Sequence, residues 1–214
     1  VMAKDWWETE ELGGKTEKVK VSDGPVGLRC LAITDSWEND SIYPSVAYPC
    51  YQMLSQTWDL DLAHQMGRAI ADDCIDHNVD VILGPGVNIK RTPLCGRNFE
   101  YMSEDPYLIE EITVPMIKGI QESDVAACVK HFVAYGAAEG GRDYNSTGVS
   151  ERNLRNVYLP PFEACVKAGA MTLMTSFNDN DGIPSTGNGF LVNDVLRGEW
   201  GFEGFVVSDW ASIY

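Results

Sequence analysis

The sequence predicts an α/β fold of the (β/α)8, TIM-barrel-like type, and three observations support this prediction. Short apolar runs alternate with segments of helical periodicity, which is typical of parallel βα units. Polar, reactive side chains follow nearly every apolar run, and a barrel collects its site from the ends of several strands. The alternative is a doubly wound sheet, which usually carries a glycine-rich turn at a single switch point. No such turn is present, so the barrel is favoured.

Five apolar runs are predicted as buried strands, at residues 19–21, 79–83, 126–129, 172–174 and 205–207. Polar residues follow them at 22–23, 88–91, 130–131, 176–178 and 208–209. Helical periodicity predicts helices over 59–77, 107–121, 154–168 and 193–200. We expect Pro160 and Pro161 to kink or split the third helix. A complete barrel needs about 250 residues, whereas this chain has 214 and ends five residues after Asp209. The prediction is therefore a barrel truncated after its last predicted strand.

Composition excludes several classes of function. The chain has 32 acidic and 16 basic residues and a formal charge of -16, which disfavours nucleic acid and anionic membranes as partners. Three histidines make a His-rich metal site an unfavourable hypothesis. Six cysteines without a C-x-x-C pair are predicted to be free, mostly buried thiols. Free thiols and the absence of a recognisable signal peptide favour a reducing compartment such as a bacterial cytoplasm, although the sequence does not determine the location.

Asp209 ends the last apolar run and precedes Trp210. A carboxylate in that position can act as a nucleophile, a general base or a metal ligand. The neighbouring indole suits a sugar, whose C–H faces stack on aromatic rings. The alternative is that Asp209 caps a following helix. The residues by themselves leave both interpretations open.

Lys130 and His131 end another predicted strand. Lys130 could form a Schiff base, donate hydrogen bonds to ligand hydroxyls, or belong to a structural ion pair. Arg97 lies in a stretch rich in polar and aromatic residues and offers a planar fork for hydroxyls or carboxylates. The glycines of residues 84–91 lack the spacing and the Lys-Ser/Thr pair of a phosphate-binding loop, so a nucleotide site is disfavoured.

Six stretches, in order along the chain, resemble the barrel domain of glycoside hydrolase family 3, in its β-glucosidase and β-xylosidase branch. They are SDGPVGLR at 22–29, residues 84–106, KHF at 130–132, ERNL at 151–154 with YLPPF at 158–162, MTSFN at 174–178, and residues 200–210 ending in SDW. The resemblance covers residues 5–214, almost the whole chain.

This resemblance implies a retaining glycosidase that forms a covalent glycosyl-aspartate intermediate and needs no metal or organic cofactor. Asp209 matches the family nucleophile. The positions that match sugar-hydroxyl contacts are Asp23, Arg97, Lys130 and His131. Met174 and Trp210 match walls of the subsite, and Phe177 stands where many members have tyrosine. An oxocarbenium-like transition state needs a carboxylate at the anomeric carbon, which agrees with this assignment.

Retaining chemistry also needs a second carboxyl group, about 5 Å from the first, to protonate the leaving group. The resemblance implies that a glutamate of a separate α/β sandwich domain supplies it. Residues 1–214 are therefore predicted to be an incomplete barrel domain that depends on a second domain or a partner segment. Glu139 and Asp143 are lesser candidates for this acid. The loop that contains them lacks the His-Gly-Asp sequence of β-N-acetylglucosaminidases, which disfavours that activity.

The predicted function is hydrolysis of terminal β-D-glucosyl residues from a β-glucoside or a cello-oligosaccharide. Three alternatives stay open. The chain could be a catalytically silent sugar-binding fragment, a β-xylosidase, or a lyase that uses Lys130 as a Schiff base. The six ordered motifs make the lyase the weakest of the three.

Overall fold

The structure is a computed structural model, and it describes residues 7–11, 17–29, 31–32, 41–42 and 44–213. Its strands are β1 (Val21–Ser22), β2 (Leu31–Ala32), β3 (Ser41–Ile42), β4 (Val81–Ile82), β5 (Ala126–Phe132), β6 (Thr172–Thr175), β7 (Asp179–Asn180), β8 (Ile183–Pro184) and β9 (Phe205–Ser208). Its α-helices are α1 (Tyr51–Thr57), α2 (Leu60–Asp76), α3 (Pro106–Gln121), α4 (Glu151–Asn153) and α5 (Pro160–Lys167). Two segments are π-helical, Leu154–Tyr158 and Phe190–Glu199.

The central sheet has five parallel strands in the order β1-β4-β5-β6-β9. Each strand pairs with the sheet strand that precedes it in the chain, and the order never reverses. A doubly wound sheet reverses its strand order at the switch point, whereas a barrel does not. The barrel-type α/β prediction is therefore confirmed as a curled half-barrel. The pairs β2–β3 and β7–β8 form two small antiparallel sheets beside it.

The predicted helices 59–77 and 107–121 are confirmed as α2 and α3, which pack against each other over the core. Their N-termini are capped as an aspartate permits, because Asp59 accepts a hydrogen bond from the Leu62 amide and Asp105 from the Tyr107 amide. Their apolar faces meet the strands in one cluster of buried side chains. None of the helices within these described ranges has both the length and the apolarity needed to cross a bilayer.

The predicted helix 154–168 is split, as Pro160 and Pro161 require. The chain is π-helical before the prolines, where the Leu159 amide donates to the Leu154 carbonyl, and α5 begins at Pro160. The last helix begins at Phe190 rather than Asn193 and is also wound with i→i+5 bonds. Helix α1 was not among the predicted elements.

The prediction that Lys130 and His131 follow a strand needs correction, because both lie inside β5. The strand continues to Phe132, and its register against β6 shifts between Val129 and Phe132. The prediction placed the end of the strand at the first charged residue after the apolar run. It failed because the side chains of Lys130 and His131 are both buried, so the strand continues through them.

The prediction is confirmed for five cysteines, which form no disulfide within the described residues: Cys50, Cys74, Cys95, Cys128 and Cys165. All of them except Cys50 are buried, and Cys30 lies outside the described residues. Burial raises the pKa of Cys128 to about 12, which keeps it as an unreactive thiol at neutral pH.

Gly24 begins the turn that follows β1 and Asp23, in which the Gly27 amide donates to the Gly24 carbonyl. Its φ is +127°, and a Cβ added there would lie 2.0 Å from the Gly27 carbonyl oxygen. We expect Gly24→Ala to lower the free energy of unfolding by about 2 kcal/mol, through overlap and backbone strain. Urea unfolding of the full chain tests this. Gly187→Ala is the matched control, because an added Cβ there meets nothing within 4 Å; equal losses in the two variants would contradict the expectation.

Candidate active site

The carboxyl-end edge of the sheet gathers the polar side chains that the sequence singled out. Asp23 follows β1, Lys130 and His131 lie near the end of β5, and Asp209 follows β9. Arg97 comes from the connection between β4 and α3, immediately before the 3₁₀ turn Asn98–Glu100. Parallel strands all end at the same edge, so residues far apart in sequence meet there.

Arg97 is fixed by contacts on several sides. Its Nε donates to Glu100 Oε1, its Nη2 lies 2.8 Å from His131 Nε2, and its Nη1 lies 3.8 Å from Asp209 Oδ2. The guanidinium carbon also lies 5.3 Å from the centre of the Tyr135 ring. A planar cation held in this way presents its donors in fixed directions.

His131 is neutral, and its partners define its tautomer. A guanidinium only donates, so Nε2 accepts from Arg97, and Nδ1 carries the proton that it donates to the Tyr101 hydroxyl at 2.8 Å. Burial, reinforced by Arg97 and Lys130, holds the pKa of His131 well below its usual value. The 3.5 Å approach of Nε2 to Asp209 Oδ2 is therefore not an ion pair.

Asn88 exchanges two hydrogen bonds with the backbone of His131, which fixes the strand at this point.

Lys130 lies between two carboxylates. Its Nζ is 3.3 Å from Glu100 Oε2 and 3.9 Å from Asp23 Oδ1, and its side chain is 3% exposed. A Schiff-base lysine has to act as a free amine, and here these ion pairs would first have to be broken. The geometry supports hydrogen-bond donation and weakens the lyase alternative.

Asp209 has one oxygen held and the other available. Oδ1 accepts a hydrogen bond from the Trp210 amide at 2.9 Å, whereas Oδ2 is buried and has no hydrogen-bond partner among the described residues. Burial raises the pKa of Asp209 to about 6, and the opposing effect of Arg97 is not large enough to cancel it. A helix cap accepts from an amide two or three residues on, but Asp209 accepts from the next residue, so the capping interpretation is not supported.

The remaining predicted residues, Met174, Trp210 and Phe177, make apolar and aromatic contacts. Met174, in β6, is buried, and its small apolar cluster includes side chains of β4 and β5 and is packed against Trp210. The Trp210 ring meets that of Trp7 edge-on at 5.5 Å. The centre of the Phe177 ring lies 4.3 Å from that of Tyr144 and 6.1 Å from that of Tyr135. The Tyr135 ring in turn contacts the Arg97 guanidinium.

The lesser acid candidates lie in the loop after β5. Asp143 accepts a hydrogen bond from the Tyr135 hydroxyl, and Glu139 is exposed and begins a short 3₁₀ turn. In the ranges that the structure describes, no group of three or more His, Cys, Asp or Glu side chains is arranged to hold a metal ion.

Glu100 is the principal residue that the sequence did not single out. Glu100 is 2% exposed, and its carboxylate forms ion pairs with both Arg97 and Lys130. Burial opposes its charge, but Lys130 and Arg97 outweigh burial and lower the pKa of Glu100. The signal available in the sequence was a carboxylate three residues after Arg97, a spacing that places both on one side of a turn.

The chain forms a parallel half-barrel, and its charged side chains gather around Asp209 at the carboxyl ends of the strands. These two features define an α/β barrel-type protein. Residues 3–214 match the family model described as Glycosyl hydrolase family 3 N terminal domain. The chain belongs to glycosyl hydrolase family 3, as the six motifs indicated.

Relatives and solved structures agree with this assignment. The chain is 45% identical over 195 residues to an exo-alpha-(1->6)-L-arabinopyranosidase of Bifidobacterium breve, covering 90% of this chain and 26% of that protein. It is 42% identical over 217 residues to thermostable beta-glucosidase B of Acetivibrio thermocellus, covering 98% and 28%. The crystal structure of a Kluyveromyces marxianus beta-glucosidase in complex with glucose superposes with a TM-score of 0.90 at 39% identity, covering 98% and 25%. The chain thus spans about a quarter of the length of these relatives.

Proposed function

We propose that this chain supplies the nucleophile and the sugar-binding groups of a retaining β-glycosidase that acts on terminal β-D-glucosides. One observation carries the proposal. Asp209 presents a buried oxygen that has no hydrogen-bond partner within the part of the chain that the structure describes and that lies 3.8 Å from Arg97 Nη1 and 3.5 Å from His131 Nε2. Such an oxygen is free to attack, while its partner oxygen is held by the backbone.

The reaction proceeds in two displacements. Asp209 Oδ2 forms a bond to the anomeric carbon as the bond to the leaving oxygen breaks, and that oxygen takes a proton from an acid. Water then attacks the same carbon and releases Asp209, and the proton from water returns to the conjugate base of the acid. Two inversions give net retention. The acid/base is proposed to be a glutamate of a second domain or partner segment, as the resemblance implies.

The cations and Asp23 act on the sugar hydroxyls. Arg97 and Lys130 donate hydrogen bonds, and the Asp23 carboxylate, with its side chain 26% exposed, is the acceptor nearest solvent. Charge develops on the ring in the transition state, so charged hydrogen bonds to the hydroxyls strengthen there more than in the bound substrate. Phe177 adds an apolar surface where a tyrosine would add a hydroxyl.

A second candidate substrate is an α-L-arabinopyranoside, because the Bifidobacterium relative carries that activity in its name at 45% identity. A β-xyloside is the third candidate, as the resemblance implies. Both sugars are pentopyranoses without the exocyclic CH₂OH of glucose, so the groups that face that position distinguish a glucoside from either of them.

The test is hydrolysis of p-nitrophenyl β-D-glucopyranoside, β-D-xylopyranoside and α-L-arabinopyranoside by the full natural chain. Proton NMR of the first product formed from the glucoside reports its anomeric configuration. We expect the β-glucoside to give the highest kcat/KM and the β-anomer to appear first. Initial release of the α-anomer would contradict a retaining mechanism. Binding of glucose without turnover of any substrate would support the silent sugar-binding alternative.

The pH dependence of the first displacement follows from Asp209. Only the carboxylate attacks, and its pKa is raised to about 6 by burial. A dinitrophenyl leaving group needs no acid, so the rate of glycosylation should be constant above pH 7 and fall about tenfold per pH unit well below 6. Stopped-flow release of dinitrophenolate from pH 4 to 8 measures this. A rate that stays constant down to pH 4 would contradict the assignment.

A further inference from the structure

Glu100 has no place in the two displacements, yet it is the most enclosed carboxylate of the cluster. One of its oxygens receives Arg97 Nε and the other lies 3.3 Å from Lys130 Nζ. A buried carboxylate of this kind costs free energy unless it is paired with good geometry. Neutralising the charges of Arg97 and Lys130 is therefore not a sufficient reason for a buried carboxylate at this position.

We propose that Glu100 is a positioning residue that holds the Arg97 guanidinium away from Asp209 and so keeps Asp209 Oδ2 available for attack. This inference rests on the proposed function. Glu100 acts through Arg97 and touches neither the sugar nor the reacting atoms.

The geometry shows two carboxylates competing for one guanidinium. Arg97 Nε donates to Glu100, whereas Arg97 Nη1 stops 3.8 Å from Asp209 Oδ2, beyond hydrogen-bond distance. Arginine and carboxylate side chains frequently form bidentate pairs. With Glu100 and His131 each receiving one of its N–H groups, Arg97 is not free to turn its fork toward Asp209. Arg97 thus approaches the nucleophile without binding it.

Loss of the Glu100 charge should release both cations toward the remaining carboxylates. The groups that face Asp209 are Arg97 and Lys130, which lower its pKa, Asp23, which raises it, and His131, which is neutral. Without Glu100, Arg97 pairs directly with Asp209. Direct pairing stabilises the carboxylate and lowers its pKa, and it also weakens the carboxylate as a nucleophile.

The experiment measures the rate of covalent labelling by 2,4-dinitrophenyl 2-deoxy-2-fluoro-β-D-glucoside from pH 4 to 8. It compares the full natural chain with Glu100→Gln. We expect the plateau rate to fall about 10–100-fold, as displacement of a positioned group does. We also expect the midpoint of the acidic limb to move down by about one pH unit. The matched control is Glu104→Gln, since Glu104 is exposed and only four residues away, and it should leave both quantities unchanged.

The outcomes separate the two proposals. No labelling of the wild type refutes the proposed function itself. Labelling of the wild type together with an unmoved midpoint in Glu100→Gln overturns the positioning role, even if the plateau falls, because a merely structural defect lowers the rate without shifting the pH profile. If Glu100→Gln does not fold, Glu100→Asp carries the same test. Its carboxylate is one methylene shorter, so a smaller downward shift is expected and an unmoved midpoint refutes the role.

Discussion

Asp209→Asn is expected to lower kcat/KM for an aryl β-D-glucoside by roughly 10⁴–10⁶-fold, as removal of a catalytic nucleophile does elsewhere. The amide oxygen cannot form the ester intermediate, and Asn keeps the volume and the contact with the Trp210 amide. Steady-state kinetics of the full natural chain measure the loss. The matched control is Asp194→Asn on the exposed side of the last helix, which should retain full activity. Activity above about one per cent in Asp209→Asn would contradict the role.

The same variant is expected to be more stable than the wild type, which excludes unfolding as the cause of the loss. The folded-state pKa of Asp209 is raised from 3.8 to about 6, so the folded state binds the proton more tightly than the unfolded state does. Stability therefore declines as pH rises between these values, by up to about 3 kcal/mol at neutral pH. An amide has no such charge to bury. A higher thermal midpoint at pH 7, but not at pH 4, is the expected signature.

Lys130→Met is expected to lower the free energy of unfolding by about 3 kcal/mol, the scale found when one partner of a buried pair is removed. Methionine fills most of the volume of the lysine stem, so the loss comes from charge. Glu100 keeps Arg97 as a partner, and Asp23 keeps Arg29, whose Nη1 lies 3.9 Å from Asp23 Oδ2, but the buried ammonium between them is lost. Urea unfolding of the full natural chain, followed by tryptophan fluorescence, measures the effect.

A matched surface variant separates burial from charge in this prediction. Lys167 pairs with Glu163 but is 68% exposed, so Lys167→Met should cost less than about 0.5 kcal/mol. Similar losses of unfolding free energy in Lys130→Met and Lys167→Met would contradict the prediction that burial makes the Lys130 ion pairs important for stability. A change in urea sensitivity without a change in midpoint would point to the unfolded state instead.

The regular parts of the fold were predictable because their signals are local. Helices α2 and α3 follow from apolar spacing and an aspartate cap, and the split before α5 follows from Pro160 and Pro161. Helix α1 has no side-chain cap at its N-terminus, and its buried residues include Ser55, which bonds to the distant Met102 carbonyl. Tertiary contacts of this kind leave little pattern in the sequence.

The candidate site was predictable only where a single residue carries the signal. Asp209 and Lys130 are polar residues next to apolar runs, and this pattern is enough to identify them, although Lys130 lies inside β5 rather than after it. Glu100 becomes significant only when β5 brings Lys130 over the turn that holds Arg97. The neutral state of His131 likewise depends on burial and on the nearby charges of Arg97 and Lys130, which sequence spacing does not specify.

The most direct test of the central claim is intact-mass spectrometry after incubation with 2,4-dinitrophenyl 2-deoxy-2-fluoro-β-D-glucoside. The leaving group needs no acid, so the result depends on the nucleophile and the sugar contacts alone. We expect one fluoroglucosyl adduct per chain, located at Asp209 by peptide mapping and absent from Asp209→Asn. An adduct on a different residue, or none at all in protein shown to be folded, would contradict it.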